Sequence, residues 1–288
     1  MSLDEGITSE VNASIISEIS PDSAYVTTKF IAIIPKKPHS SSSASSKAVF
    51  DDDGDLVRDC NEDEIEFVIK HKLSTDLRGV GYQVWRGALL MSDYIIANIG
   101  NGFTKKSVLE IGAGTGLASI ALSHFCSDDS YIYATDLPEL VDLLKDNLDS
   151  NNSKNIEVFP LDLKDTKDNA AFQEIDIVIG ADVIYDNDVT DGVINFLQMI
   201  LHKTTKKSVE FIFTIDKRYI FTIDDMETVA PSYEYFIAKL TDLDPEEAWN
   251  MNREEIPAEQ IYQTFCYERS PDLCLILIKS TKKVCLKN

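Results

Sequence analysis

The sequence predicts an α/β fold in which five parallel-type strands alternate with helices and a C-terminal antiparallel hairpin closes the sheet, behind an N-terminal β-rich extension. Three observations carry this. Short, continuous apolar runs alternate with amphipathic stretches between residues 107 and 240, the pattern of a parallel sheet covered on both faces. A glycine loop follows the first of those runs without a break. The alternation then ends, because Gln260–Tyr267 and Leu273–Lys279 are separated only by Glu268–Asp272, too short a link for a parallel crossover.

Taken in order, Tyr25 to Pro35 (YVTTKFIAIIP) is β-prone and stands before a Ser-rich linker at 39–47. That linker can bury almost nothing and reads as flexible. Phe50 to Leu56 (FDDDGDL) alternates acids in the manner of a calcium loop. Its Gly54 comes one residue before the third acid, where the loop wants it directly after, so a solvated acidic turn is expected. Ile65–Lys70 alternates as a strand, and Ala88, Leu89, Tyr94, Ile95 and Ile99 recur at helical spacing from Trp85 to Gly100. Strands follow at Ser107–Ile111, Tyr131–Thr135, Ile156–Phe159, Asp176–Gly180 and Val209–Ile215. Helices are expected at Thr115–Phe125, Pro138–Ser150, Val189–Leu201 and Met226–Leu240. The organisation is therefore an extension, 1–60, and one larger domain, 61–288.

Composition narrows the function classes. The 288 residues carry 49 acids against 27 bases, a net charge of -22; such a surface repels nucleic acid and anionic membrane and attracts cationic partners. Residues 1–66 hold 14 acids and five bases, so most of the excess belongs to the larger domain. No apolar run reaches the ~20 residues of a membrane-spanning helix, and the N-terminal residues lack a secretory pattern. The five cysteines are scattered, none forms a CxxC pair, and the four histidines cluster with none of them. No metal site is expected, and the thiols read as reduced, in a nuclear or cytoplasmic setting.

The most informative stretch is Val108 to Leu122 (VLEIGAGTGLASIAL). A buried strand enters Gly112-Ala113-Gly114-Thr115-Gly116, where the backbone must reverse tightly while approaching a ligand. Leu117 stands where a dinucleotide fingerprint wants its third Gly, and Glu110 puts a carboxylate near the pyrophosphate position. A cationic, phosphate-free cofactor suits such a site better than a nicotinamide. Asp136 ends the next strand, where a carboxylate can accept both hydroxyls of a ribose. Loop, acid and hairpin together describe a Rossmann-like, seven-strand methyltransferase sheet that uses S-adenosyl-L-methionine.

From about Phe50 to Lys279 the chain also resembles the seven-strand protein lysine methyltransferases, and among them the methyltransferase-like protein 22 group. The resemblance is carried by DDDGDLV, GYQVWRGALLMSDYI, LEIGAGTGLASI, GADVIYD, DKRYIFT and YERSPDLCLILI. It implies methylation of a lysine ε-amine in a protein, and for this group a nuclear, nucleic-acid-binding one. It also implies cofactor contacts at Trp85, Gly112, Ala113, Gly114, Asp136 and Ala181, beside Glu110 before the loop and Gly116 within it. Asp182 and Tyr185 match the acid–x–x–Tyr motif after the fourth strand and are the expected catalytic pair. Leu163 stands where many relatives carry Trp; it can cover adenine by apolar contact with less stacking surface.

Asp182 follows a parallel strand's C-terminal end, the edge where open α/β sheets bind ligands. Together with Tyr185 it is expected to hold the target ammonium and orient its lone pair once the proton leaves; a helix cap by Asp182 and a packing role for Tyr185 are the plainer alternatives. The acid-rich Thr241–Gln260 segment, with seven acids and one base, is expected as an insertion near the site's rim, either solvated or receiving a basic substrate. The expected partner is a basic protein bound by a monomer, with no direct nucleic-acid or membrane contact. A silent binding module on the same fold and a small-molecule methyltransferase remain as alternatives.

Overall fold

The computed structural model describes residues 7–8, 16–19, 25–35, 49–50, 56–57, 62–98, 102–167, 169–222, 226–244 and 246–283. The Ser-rich linker at 39–47 and most of the acidic turn at 50–56 lie outside these residues.

The main elements are β1 (Val26–Pro35), β2 (Glu62–His71), α1 (Arg86–Ala97), β3 (Ser107–Ile111), α2 (Leu117–Phe125), β4 (Tyr131–Asp136), α3 (Val141–Ser150), β5 (Ile156–Pro160), β6 (Ile177–Ala181) and α4 (Asn187–Lys203). They continue through β7 (Ser208–Asp216), β8 (Ile220–Thr222), β9 (Glu227–Val229), α5 (Pro231–Lys239), β10 (Trp249–Pro257) and β11 (Leu273–Lys282). Seven strands form one sheet in the order β5-β4-β3-β6-β7-β11-β10. β3 to β7 pair in parallel, while β11 runs antiparallel to both of its neighbours. The Rossmann-like sheet with its antiparallel closure is thus present.

Both faces of the sheet are covered, which is why its inner strands read as unbroken apolar runs. Phe172, Phe196, Phe211, Phe213 and Phe236 fill one side beneath α4 and α5. Leu90, Met91, Ile95, Ala118 and Leu122 of α1 and α2 fill the other.

The closing strand pair differs from expectation. The partner of β11 is Trp249–Pro257, not Gln260–Tyr267. Residues 258–272 are a connector folded onto α1, where Thr264 and Phe265 donate backbone N–H groups to the buried Asp93 carboxylate. The acid-rich segment is correspondingly not an insertion loop: its second half is the sheet's edge strand, and Asn252 to Glu255 are exposed there. An edge strand with outward charges protects against pairing with another chain, and by composition it resembles a loop. The fifth helix begins at Pro231, because Glu227–Val229 is a strand and proline suits a first helical position.

β1 and β2 pair antiparallel along ten residues, and Ile16–Ile19 adds a short third strand. Val26, Thr28, Phe30 and Ala32 are buried at period two, as a one-sided sheet requires. Two asparagines one helical turn apart, Asn147 in α3 and Asn151 at its C-terminal cap, hold this ribbon. Asn147 accepts from the Lys70 N–H and donates to its carbonyl, and Asn151 does the same for Val68. Their amides replace the missing neighbour strand.

Candidate active site

The site is built at the C-terminal ends of the parallel strands. β3 delivers the chain into the glycine loop, where Gly112, Gly114 and Gly116 have φ of +61°, +54° and +84°. Side chains rarely adopt such angles. Space forbids them as well: a Cβ would lie 2.6 Å from Val183 Cγ1 at Gly112, 2.9 Å from the Gly81 carbonyl oxygen at Gly114, and 2.5 Å from Leu144 Cδ1 at Gly116. Ala113 donates its N–H to the Thr135 carbonyl at 2.9 Å, tying the loop to β4.

Asp136 ends β4, with its carboxylate buried beneath the loop. Oδ2 accepts the Gly114 N–H at 2.6 Å and Oδ1 the Leu137 N–H at 2.7 Å. Burial outweighs these bonds and pushes its pKa up to about 6. Glu110 is buried too, and it turns under α2, where the Ser119 hydroxyl donates to it. Burial, reinforced by the Asp136 charge, raises its pKa from 4.5 to about 8. At neutral pH Glu110 is therefore mostly a neutral acid held inside the loop's base.

Asp182 follows β6 with φ +53°, a left-handed backbone at a non-glycine residue. Its N–H donates to the Thr214 carbonyl at 2.9 Å. Its carboxylate accepts the Gly87 N–H at 2.9 Å and the Asp216 N–H at 3.3 Å. A Cβ on Gly87 would stand 2.6 Å from Asp182 Oδ2, so this contact exists only because position 87 is glycine. Burial raises the Asp182 pKa, opposed first by the Arg218 charge. Arg86 lies 3.6 Å from Asp216, and the Arg218 guanidinium stands 5.1 Å from the centre of the Trp85 ring, whose indole donates to the Val80 carbonyl. Asp182 does not cap α4; Asp186 does, accepting the Asp188 and Val189 N–H groups.

Tyr185 is half-buried, and its hydroxyl pKa is raised by burial and then by the charges of Asp136 and Asp186. Ala181 closes β6 opposite Thr214. Leu163 leans on α4, where a Cβ at Gly192 would come within 3.0 Å of its carbonyl oxygen. The residues that sequence reasoning passed over are Arg86, Gly87, Thr214, Asp216 and Arg218. Gly87, in a helix's first turn, was the readable signal, since glycine weakens helices and needs a reason to be there.

A family model described as lysine methyltransferase matches residues 61–230. The chain belongs to this family. It is 33% identical over 201 residues to the mouse methyltransferase-like protein 22, covering 61% of this chain and 49% of that one. It is 28% identical over 174 residues to the EEF1A lysine methyltransferase 3 of Xenopus tropicalis, covering 60% and 74%. The chain thus spans about half the length of the methyltransferase-like protein 22 it matches. Among solved structures, a SAM dependent methyltransferase from Aquifex aeolicus matches with TM-score 0.47 and 14% identity, over 68% of this chain and 92% of that one.

Three of the segments that mark this lysine methyltransferase family member meet in space. GYQVWRGALLMSDYI supplies Trp85, Arg86 and Gly87; GADVIYD supplies Asp182; DKRYIFT begins at Asp216 and supplies Arg218. Among the described residues no group of three or more His, Cys, Asp or Glu side chains is placed to hold a metal ion. What the arrangement offers is a glycine-rich backbone turn with the Asp136 and Asp182 carboxylates at one sheet edge.

Proposed function

We propose that the chain is an S-adenosyl-L-methionine-dependent protein-lysine N-methyltransferase. The observation that carries this reading is the Asp136 carboxylate. Each of its oxygens accepts one backbone N–H, and each keeps an acceptor position for a ribose hydroxyl. The loop above it turns at positive φ through Gly112, Gly114 and Gly116, which keeps its backbone free of side chains where a ligand would lie. Gly112, Ala113, Gly114, Gly116, Asp136, Trp85, Ala181 and Leu163 would hold the cofactor, with Glu110 as a neutral support beneath.

When bound, S-adenosyl-L-methionine supplies an electrophilic methyl whose leaving sulfur needs no protonation. The chain's own residues must therefore align a neutral amine. A lysine with pKa near 10.4 arrives protonated, and a fixed carboxylate gives it a counter-charge. Asp182 is suited to that, because two backbone amides hold it rigid. Its negative charge positions the ammonium, the proton passes to water, and the Tyr185 hydroxyl orients the freed lone pair. Acidity over the whole chain supports a basic substrate segment. A nuclear, nucleic-acid-binding substrate, a monomeric enzyme and a nuclear or cytoplasmic setting complete the proposal.

Titration calorimetry with the cofactor, then incubation of a cell lysate with radiolabelled cofactor and the protein, tests this. Heat of binding and labelled protein bands are expected. No heat sinks the cofactor assignment, and label found only in small molecules sinks the protein substrate.

A further inference from the structure

Directly after Asp216 the chain leaves the sheet as a two-stranded ribbon, β8 paired with β9 through Ile220–Val229, Phe221–Thr228 and Thr222–Glu227. Tyr219, Ile220, Phe221 and Met226 are between 45% and 72% exposed. Successive residues of a strand point to opposite faces, so Ile220 and Phe221 expose apolar surface on both sides of the ribbon. A lone hairpin is marginal in water, and such a patch marks an interaction surface.

Its position says what it meets. The ribbon's root is part of the site: Asp216 donates to Asp182, and Arg218 lies against Trp85. The charge of Lys217 is taken up by Glu255 at 2.6 Å. Glu254 on the edge strand is an exposed acid, and β10 ends at the same sheet edge. The chain's net charge of -22 favours a cationic partner, with an apolar ribbon as its footing. Ile220 follows Asp216 by four residues, and because Arg218 turns the chain at φ +48° the span is shorter than the ~14 Å of four extended residues. A substrate strand bridging it covers at most about four residues.

We propose that this ribbon is the docking surface for the protein substrate, receiving an apolar side chain that stands within about four residues of the target lysine in a basic segment. The inference rests on the methyltransferase reading. The full chain is compared with an Ile220→Ser/Phe221→Ser variant, both assayed on a cell lysate with radiolabelled cofactor and the methylated lysines mapped by mass spectrometry. Mapped sites should carry Leu, Ile, Met or Phe two to four residues to one side of the lysine. The variant should label about tenfold less, the loss expected for removing an interface anchor, with unchanged cofactor affinity and melting temperature. Equal labelling by both proteins, or sites without that apolar residue, overturns the docking surface and leaves the enzyme reading standing. No labelling by either protein overturns the enzyme reading, and the docking surface with it. Sedimentation showing a wild-type dimer and a monomeric variant would assign the ribbon to a second copy and overturn the proposal.

Discussion

Arg269 places its guanidinium 2.7 Å from the buried carboxylate of Asp93, across 176 residues of chain. The same carboxylate accepts from Thr264, Phe265 and Tyr267, while Arg269 also donates to the Ala258 and Ile261 carbonyls. One ion pair thereby pins the connector before β11 to α1. Removing one partner of a buried pair costs about 3–5 kcal/mol, because the other charge stays buried. Arg269→Met should lower the urea unfolding free energy by that amount; a loss below ~1 kcal/mol would mean the network does not hold the connector.

The asparagine clamp on β2 predicts a local effect. Asn147→Ala/Asn151→Ala leaves the Val68 and Lys70 backbone groups without these partners; they are part-buried, so each costs less than the roughly 1–3 kcal/mol of a fully buried group. Hydrogen exchange should speed at the Val68 and Lys70 amides and stay slow at Ile179 in the central sheet. Uniform acceleration would instead indicate that ribbon and sheet unfold as one unit.

Glu110 predicts a pH dependence. Its carboxyl titrates near 4.5 when unfolded and near 8 when folded. The folded state therefore keeps the extra proton across that window, and raising pH from 4.5 to 8 destabilises it. Relative to wild type, Glu110→Gln should gain stability progressively over that range, by a few kcal/mol at its upper end. Parallel stability curves for the two proteins would show that Glu110 titrates normally.

For Asp136, the expectation concerns cofactor affinity. Hydrogen bonds to a charged group are worth about 1.5–3 kcal/mol, so Asp136→Asn should weaken cofactor binding by roughly 10–100-fold. Wild-type affinity should also fall as pH drops through about 6, where this carboxylate protonates. Calorimetry across pH reads both effects, and a pH-independent wild type would rule out the ribose role.

Asp182→Ala should reduce methyl transfer by at least ~100-fold, the usual cost of losing one fixed electrostatic group, with cofactor affinity nearly intact. Gly87→Ala should act in the same direction, because its Cβ would displace the carboxylate. Normal turnover in Gly87→Ala would mean that Asp182 need not be held where it is.

The strand–helix alternation, the glycine loop and the two strand-end acids were legible because each depends on local chemistry: buried runs, positive φ and a fixed register after a strand. What the sequence concealed was long-range. Trp249–Pro257 carries edge-strand charges and reads as a loop, while Gln260–Tyr267 has strand composition but spends its amides on Asp93. Gly87 and Thr214 serve Asp182 from elements far away in sequence, and no periodicity announces that they converge. Asp182's own φ was equally hidden, since aspartate is only mildly preferred there.

The order of strands in the sheet differs from the order in which the ribosome makes them. β11 lies between β7 and β10, yet it is the last of the seven strands to leave the ribosome. The 56 residues between Asp216 and Leu273 correspond to roughly 3–11 s of synthesis at about 5–20 residues per second. For that interval the β7 edge, carrying Phe211, Phe213 and Ile215, waits without its inner neighbour. A nascent chain in this condition is a natural client for chaperones, and slowing translation downstream of Asp216 would lengthen its most aggregation-prone moment.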